Sequence, residues 1–222
     1  MGKLIVFEGT DGSGKSTQFE LLAKRLEAEQ IGFQRLRFPQ YEEPSSALIR
    51  MYLGGAFGDD PEAVNAYAAS TFYAVDRYAS YQRVWKDYYQ GGGFVVSDRY
   101  TTSNAVHQGS KVPEAERAEF FRWLYDLEYD RMGLPRPDLV VLLDMPVELS
   151  EQLMRKREQS TGTHADIHER DEDYLKKCRD VALHAAEYYG WRTVSCAKDG
   201  VIRSVEDIHE EVYAIVKSCL ED

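Results

Sequence analysis

Residues Val6–Thr17 read V-F-E-G-T-D-G-S-G-K-S-T. Within them, Gly9-x-x-x-x-Gly14-Lys15-Ser16 is the phosphate-binding loop pattern. The pattern needs a strand before it and a helix after it. Lys3–Glu8 (K-L-I-V-F-E) is a short apolar run suited to a buried strand, and Phe19, Leu22, Ala23 and Leu26 follow at helical spacing. The glycines let consecutive backbone N–H groups turn inward onto an anion, and the helix N-terminus adds partial positive charge. Lys15 is placed to reach terminal phosphates, and the Ser16 hydroxyl, with Thr17 beside it, to ligate Mg²⁺. An ordinary glycine turn is the bland alternative. The flanking strand and helix favour a nucleoside triphosphate site.

Outward from this loop, strands alternate with helices. Phe33–Phe38 reads as a second strand ended by Pro39, and Pro44–Leu53 as a short helix stopped by Gly54-Gly55. A long helical segment runs from Pro61 to about Tyr89, closed by Gly91-Gly92-Gly93, before the strand Phe94–Ser97. Thr101–Gly109 reads as a loop or broken helix, and Pro113–Arg131 as helical with Phe120, Trp123, Leu124 and Leu127 on one face. The strand Asp138–Asp144 and the helix Val147–Glu158 come next, then a segment without periodicity, Gln159–Ile167. Glu169–Tyr189 (helix), Arg192–Cys196 (strand) and Ser204–Cys219 (helix) complete the series. Several strands are apolar on both faces, so the expectation is α/β: a five-stranded parallel sheet covered by helices on both sides. Ligands in such folds sit at the carboxyl ends of the strands.

Composition narrows the function. The 222 residues suit one compact domain or one with a small lid, and no apolar run approaches the ~18 residues of a membrane helix. The sequence passes directly from its first residues into a strand, so no signal peptide is expected. Cys178, Cys196 and Cys219, odd in number and widely spaced, fit free thiols in a reducing cytoplasm better than disulfides or a zinc site. A net charge of −11 argues against a polymeric nucleic acid or an anionic membrane as partner, though not against a small anionic substrate.

Five places at strand ends, in loops or on facing elements carry chemistry. Asp98-Arg99-Tyr100 follows the third strand; its carboxylate suits Mg²⁺ and its guanidinium the charge on a transferring phosphoryl group, with a strand-end ion pair as the alternative. Asp11, a carboxylate among phosphate-binding amides, makes sense facing a hydroxyl of a second substrate or a metal; otherwise it is a turn residue. Tyr73 and Arg77 share one helix face and together could stack on a base and bond its edge, against core packing as the default. Phe38-Pro39-Gln40-Tyr41 is either one wall of an acceptor pocket or a strand terminator. The Gln159–Ile167 segment, with Arg155 and Arg157 before it and Arg170 after it, reads as a mobile lid or as a solvated loop.

Taken together, F-E-G-T-D-G-S-G-K-S-T (Phe7–Thr17), F-P (Phe38-Pro39), F-Y-A-V-D-R (Phe72–Arg77), D-R-Y-T-T-S-N-A (Asp98–Ala105) and L-L-D-M-P-V-E (Leu142–Glu148) resemble the thymidylate kinases over almost the whole length. The resemblance implies a P-loop nucleotide kinase fold in one domain, residues 1–222, with a lid at about 155–170. It implies transfer of a phosphoryl group from Mg-ATP to dTMP, and a homodimer. Gly9, Thr10, Asp11, Gly12, Ser13, Gly14, Lys15, Ser16 and Thr17 then resemble the ATP phosphate loop, with Ala197 and Lys198 packing on adenine. Asp11, Phe38, Tyr41, Tyr73, Arg77, Arg99, Ser103, Asn104 and His107 resemble the dTMP contacts; His107 stands near the sugar where the family often has Tyr or Phe. Lys15, Asp98, Arg99, Arg155 and Arg157 take the catalytic roles, with Ser16 and Asp98 on the metal. Ser13 occupies a loop position where some members carry a catalytic arginine; the lid arginines fit the family's other solution. A kinase for another (deoxy)nucleoside or its monophosphate is the nearest alternative, and a non-catalytic P-loop switch the alternative from another class. The absence of an Asn-Lys-x-Asp guanine-reading motif weighs against the switch.

Overall fold

The computed structural model describes residues 1–58, 60–161 and 172–221. Its main sheet is parallel and has the order β2-β3-β1-β4-β5, with β1 Lys3–Glu8, β2 Phe33–Arg37, β3 Phe94–Asp98, β4 Leu139–Asp144 and β5 Arg192–Ser195. Burial explains the strand composition: Phe94–Asp98 is buried at every position, and β1 at all but its first. Contacts divide the chain into two units, Met1–Val6 with Gly32–Asp138, and Phe7–Ile31 with Leu139–Asp222. Among the described residues no helix is long and apolar enough to cross a membrane.

In the first unit, β2 runs beside β3 in register from Phe33↔Phe94 to Arg37↔Asp98. The start of the chain is held by close backbone approach. Gly2 N–H donates to Tyr89 O at 2.7 Å, and a Cβ on Gly2 would stand 2.0 Å from Gly93 O. The Asp138 carboxylate accepts from Leu4 N at 2.7 Å. The long helical segment is divided. Pro61–Ala63 is one 3-10 turn, Asn65 then caps α3 (Ala66–Ser80) by accepting from Ala68 N–H at 2.9 Å, and a π-helical turn, Tyr81–Trp85, leads into α4 (Lys86–Gln90). Trp85 is fully buried against Tyr81, Tyr89 and Tyr100. Truncating such a ring costs roughly 3–5 kcal/mol.

Two further elements of this unit matter for the site. Thr101–His107, read as a loop or broken helix, forms α5. Its Thr, Ser and Asn residues are weak helix formers, but Thr101, Thr102, Asn104, Ala105 and Val106 are buried, and packing overrides propensity. α6 (Arg117–Tyr125) continues into a second π-helical turn, Asp126–Arg131. Short helix α2 (Ala47–Leu53) packs on α3.

The second unit joins the phosphate-loop region to the C-terminal part of the chain. α1 (Lys15–Ala28) buries Phe19, Leu22, Ala23 and Leu26 and lies along α9 (Val205–Glu221). Gln18 Nε2 donates to Val205 O at 2.9 Å, and the Arg25 guanidinium sits 3.5 Å over the Tyr213 ring while bonding Glu210 at 2.8 Å. α7 (Val147–Thr161) and α8 (Glu172–Tyr189) share the cluster Val147, Met154 and Leu175. The segment read as the lid begins three residues inside α7, and residues 162–167 of it lie outside the described residues, as does Arg170. A small hairpin, β6 (Ala197–Lys198) and β7 (Val201–Ile202), completes the unit.

Candidate active site

In the second unit the backbone after β1 makes the cradle that the glycine spacing anticipated. Gly9, Gly12 and Gly14 have φ of 157°, 75° and 84°, and α1 starts at Lys15. A Cβ on Gly9 would meet Ser13 Oγ at 2.6 Å and one on Gly12 would meet Ser150 O at 2.8 Å, whereas one on Gly14 would project into open space. Glycine is required for packing at the first two and for backbone conformation at the third. Lys15 is buried, Ser16 and Thr17 are exposed on the first turn of α1, and that turn carries no acidic residue to compete with an anion. Ser13 Oγ is buried without a hydrogen-bond partner. This open, amide-lined turn with a lysine folded into it fits a polyphosphate.

Elsewhere in this unit, Asp144 at the end of β4 holds Arg179 of α8 through two bonds of 2.7 and 3.0 Å. Asp199 and Gly200, both at positive φ, form the two-residue turn between β6 and β7, where the resemblance places Ala197 and Lys198. Arg155 is exposed on α7 with Glu151 3.4 Å away; Arg157 lies on the same helix, and its side chain is outside the described residues.

The first unit gathers the remaining candidates at the ends of β2 and β3 and on α3 and α5. Asp98 is buried: Oδ2 accepts from Arg37 Nε at 3.1 Å, and Oδ1 has no hydrogen-bond partner. Arg99 takes a left-handed φ of 68°, with its carbonyl held by Ser97 Oγ at 2.6 Å. This turns its side chain back along α5, where Nη1 stands 3.4 Å from Ser103 Oγ and 2.9 Å from His107 Nε2. The half-buried Tyr73 shares this neighbourhood. Burial pushes its phenol up, Tyr41 and Tyr52 add to the rise, and the Arg99 and Arg77 charges oppose it. Phe38 turns inward onto the Tyr100 ring at 5.9 Å, while Tyr41 is exposed.

Arg77 is almost wholly buried. Its Nε and Nη2 bond the two oxygens of Glu128 at 2.7 and 2.5 Å, and Nη1 donates to Tyr100 O at 3.3 Å. Thr101 Oγ1 adds a third donor to Glu128 at 2.7 Å. Asn104 Nδ2 donates to Ser70 O at 3.1 Å, tying α5 to α3.

Against this geometry, similarity decides the family. The thymidylate kinase family model matches residues 7–212. The chain belongs to the thymidylate kinase family. A thymidylate kinase of Mycobacterium tuberculosis is 33% identical over 199 residues, covering 88% of this chain and 92% of its own length. A probable thymidylate kinase of Thermococcus gammatolerans is 33% identical over 221 residues, covering 98% and 97%. In fold, the structure of a Candida albicans thymidylate kinase superposes with a TM-score of 0.72 at 22% identity, over 98% of this chain and 92% of that one.

Two residues that hold the candidate site residues escaped the sequence reading. Glu128 carries the partner charge for Arg77, and its signal was available: it falls four residues after Leu124 on the apolar face of a helical stretch, where a charge needs a partner. Asp76, beside Arg77 in the F-Y-A-V-D-R motif, is buried and accepts from Gln40 N–H at 2.8 Å and Ser45 Oγ at 2.6 Å. It fixes the segment after β2 that carries Tyr41. Arg50 braces the same segment through Tyr41 O at 2.6 Å and the Ser46 hydroxyl. The hairpin was also legible, since Asp-Gly between short extended runs is a turn signal.

Proposed function

We propose that the protein transfers the γ-phosphoryl group of ATP to dTMP, giving dTDP. The observation that carries this reading is the family match over residues 7–212. The loop at Gly9–Lys15 and the arginine held on α5 support it. In this reading Gly9–Thr17 binds the ATP phosphates, with Lys15 on the terminal ones, and the Ala197–Lys198 hairpin meets adenine. Tyr73 stacks on thymine, Arg77, Ser103 and Asn104 serve its edge, Phe38 backs the pocket, and Tyr41 and Arg99 take the acceptor phosphate. Asp11 serves the acceptor's hydroxyl, and His107 lies at the sugar. Arg155 and Arg157 supply further cations from a lid at about 155–170.

Among the described residues no group of three or more His, Cys, Asp or Glu is arranged to hold a metal by itself. Asp98 Oδ1, buried and without a hydrogen-bond partner, offers a hard oxygen to an Mg²⁺ whose remaining ligands would include phosphates and water. Bound there, Mg²⁺ would neutralise phosphate charge. The acceptor oxygen is already anionic at neutral pH, so no general base is needed. The side chains position the reactants and stabilise the charge of an in-line transfer. We also propose a homodimer, supported by the exposed apolar residues Val75, Tyr78 and Val84 on and just after α3, and a cytoplasmic location, supported by free cysteines.

The test is ADP release from Mg-ATP with dTMP, dUMP, UMP, dCMP, dGMP and thymidine as acceptors. A strong preference for dTMP is the expected result. Preference for another acceptor would leave the transfer chemistry and remove the thymine assignments. Turnover with none of them would favour a nucleotide-binding switch.

A further inference from the structure

The Arg99–His107 contact fixes more than a distance. An arginine side chain is always a donor, so the bond from Nη1 at 2.9 Å requires His107 Nε2 to be the acceptor. The imidazole is therefore neutral there, with its proton on Nδ1. Ser103 and His107 are four apart on one face of α5, Arg99 stands two residues before the helix, and both later residues offer acceptors to the same guanidinium nitrogen. The frame is itself anchored. Ser97 holds the Arg99 carbonyl, Ser110 Oγ donates to the His107 carbonyl at 2.8 Å, and Asn104 ties the middle of the helix to α3.

Without that acceptor, the left-handed turn at Arg99 would still send the side chain toward α5, but Nη1 would lose its 2.9 Å bond and keep the longer 3.4 Å contact to Ser103. A guanidinium bonds a phosphate well only in a narrow set of orientations, because its donors form a rigid fork. We propose that His107 is the positioning residue for Arg99: its Nε2 holds the guanidinium in the orientation that reads the acceptor phosphate. This rests on the acceptor being a nucleoside monophosphate, as proposed above. It assigns His107 to recognition of the phosphate through Arg99, in place of contact with the sugar alone.

The quantity to measure is the phosphate increment, the ratio of thymidine Kd to dTMP Kd by calorimetry. It is compared in the parent, His107→Phe and His107→Gln, with ATP affinity and melting temperature as controls. Phe keeps a ring and removes the acceptor; Gln returns an acceptor oxygen at similar reach. The increment should fall roughly tenfold in His107→Phe, the size of one hydrogen bond to a charged group, and recover to within about threefold in His107→Gln. ATP affinity should stay constant. In an Arg99→Ala background, His107→Phe should lower the increment no further, because the two residues act as one unit. An unchanged increment in folded His107→Phe, no recovery in His107→Gln, or full additivity with Arg99→Ala would each overturn the assignment. If His107→Phe melts well below the parent, His107→Met takes its place under the same criteria. A parent that binds thymidine as well as dTMP would reject the monophosphate acceptor itself. A parent with a large increment that His107→Phe leaves intact rejects only the role of His107.

Discussion

Arg99 and Arg77 show how two similar side chains are set to different work. Arg99 is partly exposed, and its Nη1 bonds the Ser103 hydroxyl and the His107 ring. Arg77 is buried and its charge is met by Glu128. It can still donate to a neutral base edge, but contributes little net charge to a phosphate. Arg99→Ala should therefore cut turnover by more than tenfold while ATP affinity stays within about twofold, as steady-state kinetics and nucleotide titration would show. Equal turnover in mutant and parent would remove Arg99 from the reaction. Glu128→Ala strands a buried guanidinium and should cost roughly 3–5 kcal/mol in denaturant unfolding, with Glu128→Gln costing less. The thiols make a second contrast. Burial, then the Asp144 charge, pushes Cys196 up to about 12, from an ordinary value near 9. The folded state therefore favours the protonated thiol. That contribution to stability is complete below about pH 9 and is lost as pH rises toward 12. A thiol reagent at pH 8 should modify the half-buried Cys219 first and reach the buried Cys178 and Cys196 only on unfolding.

Among the elements, those whose burial follows from pattern were readable, and those that tertiary contacts create were not. The strands β1, β3 and β4 stand out as apolar runs because both faces are covered. The glycine loop was readable because its spacing encodes backbone conformation directly. α5 was hidden, since Thr101, Thr102, Ser103 and Asn104 form a helix only because their side chains find Glu128, Ser70 and the core. The two π-helical turns shift register within segments that read as continuous helices, and no local signal announces them. Site residues were found where a motif names them, whereas Asp76 and Glu128, which hold other site residues, were passed over. The loop supports a matched pair of tests. Gly12→Ala forces a Cβ to within 2.8 Å of Ser150 O and 2.9 Å of Met154 Cγ at positive φ, so it should destabilise the fold by several kcal/mol. Gly14→Ala meets nothing within 4 Å and should cost only about 1 kcal/mol from φ strain, while its methyl group obstructs the phosphate cradle. Thermal unfolding with and without ATP separates them. The first should lower the melting temperature outright; the second should chiefly abolish the rise that ATP gives.

For the whole molecule, net charge and apolar exposure point in different directions. A charge of −11 keeps chains apart, while Val75, Tyr78 and Val84 offer a surface that association would cover. Sedimentation equilibrium should return twice the 25.5 kDa chain mass in physiological salt, and Val75→Glu should return the single chain. A single-chain mass for the parent would remove the dimer. The pairing of α1 with α9 bears also on how the chain is made. The loop Gly9–Lys15 is made before α9, but the helix behind it rests on Val205, Glu210 and Tyr213. At about 5–20 residues per second, those partners follow on the order of ten seconds or more later. The run Gly32–Asp138, continuous in sequence, is free to gather around its own strands in the meantime. A nascent chain stalled before Val205 therefore displays the full nucleotide-loop sequence without its brace. The capacity to hold a nucleotide arrives with α9, long after its motif has been made.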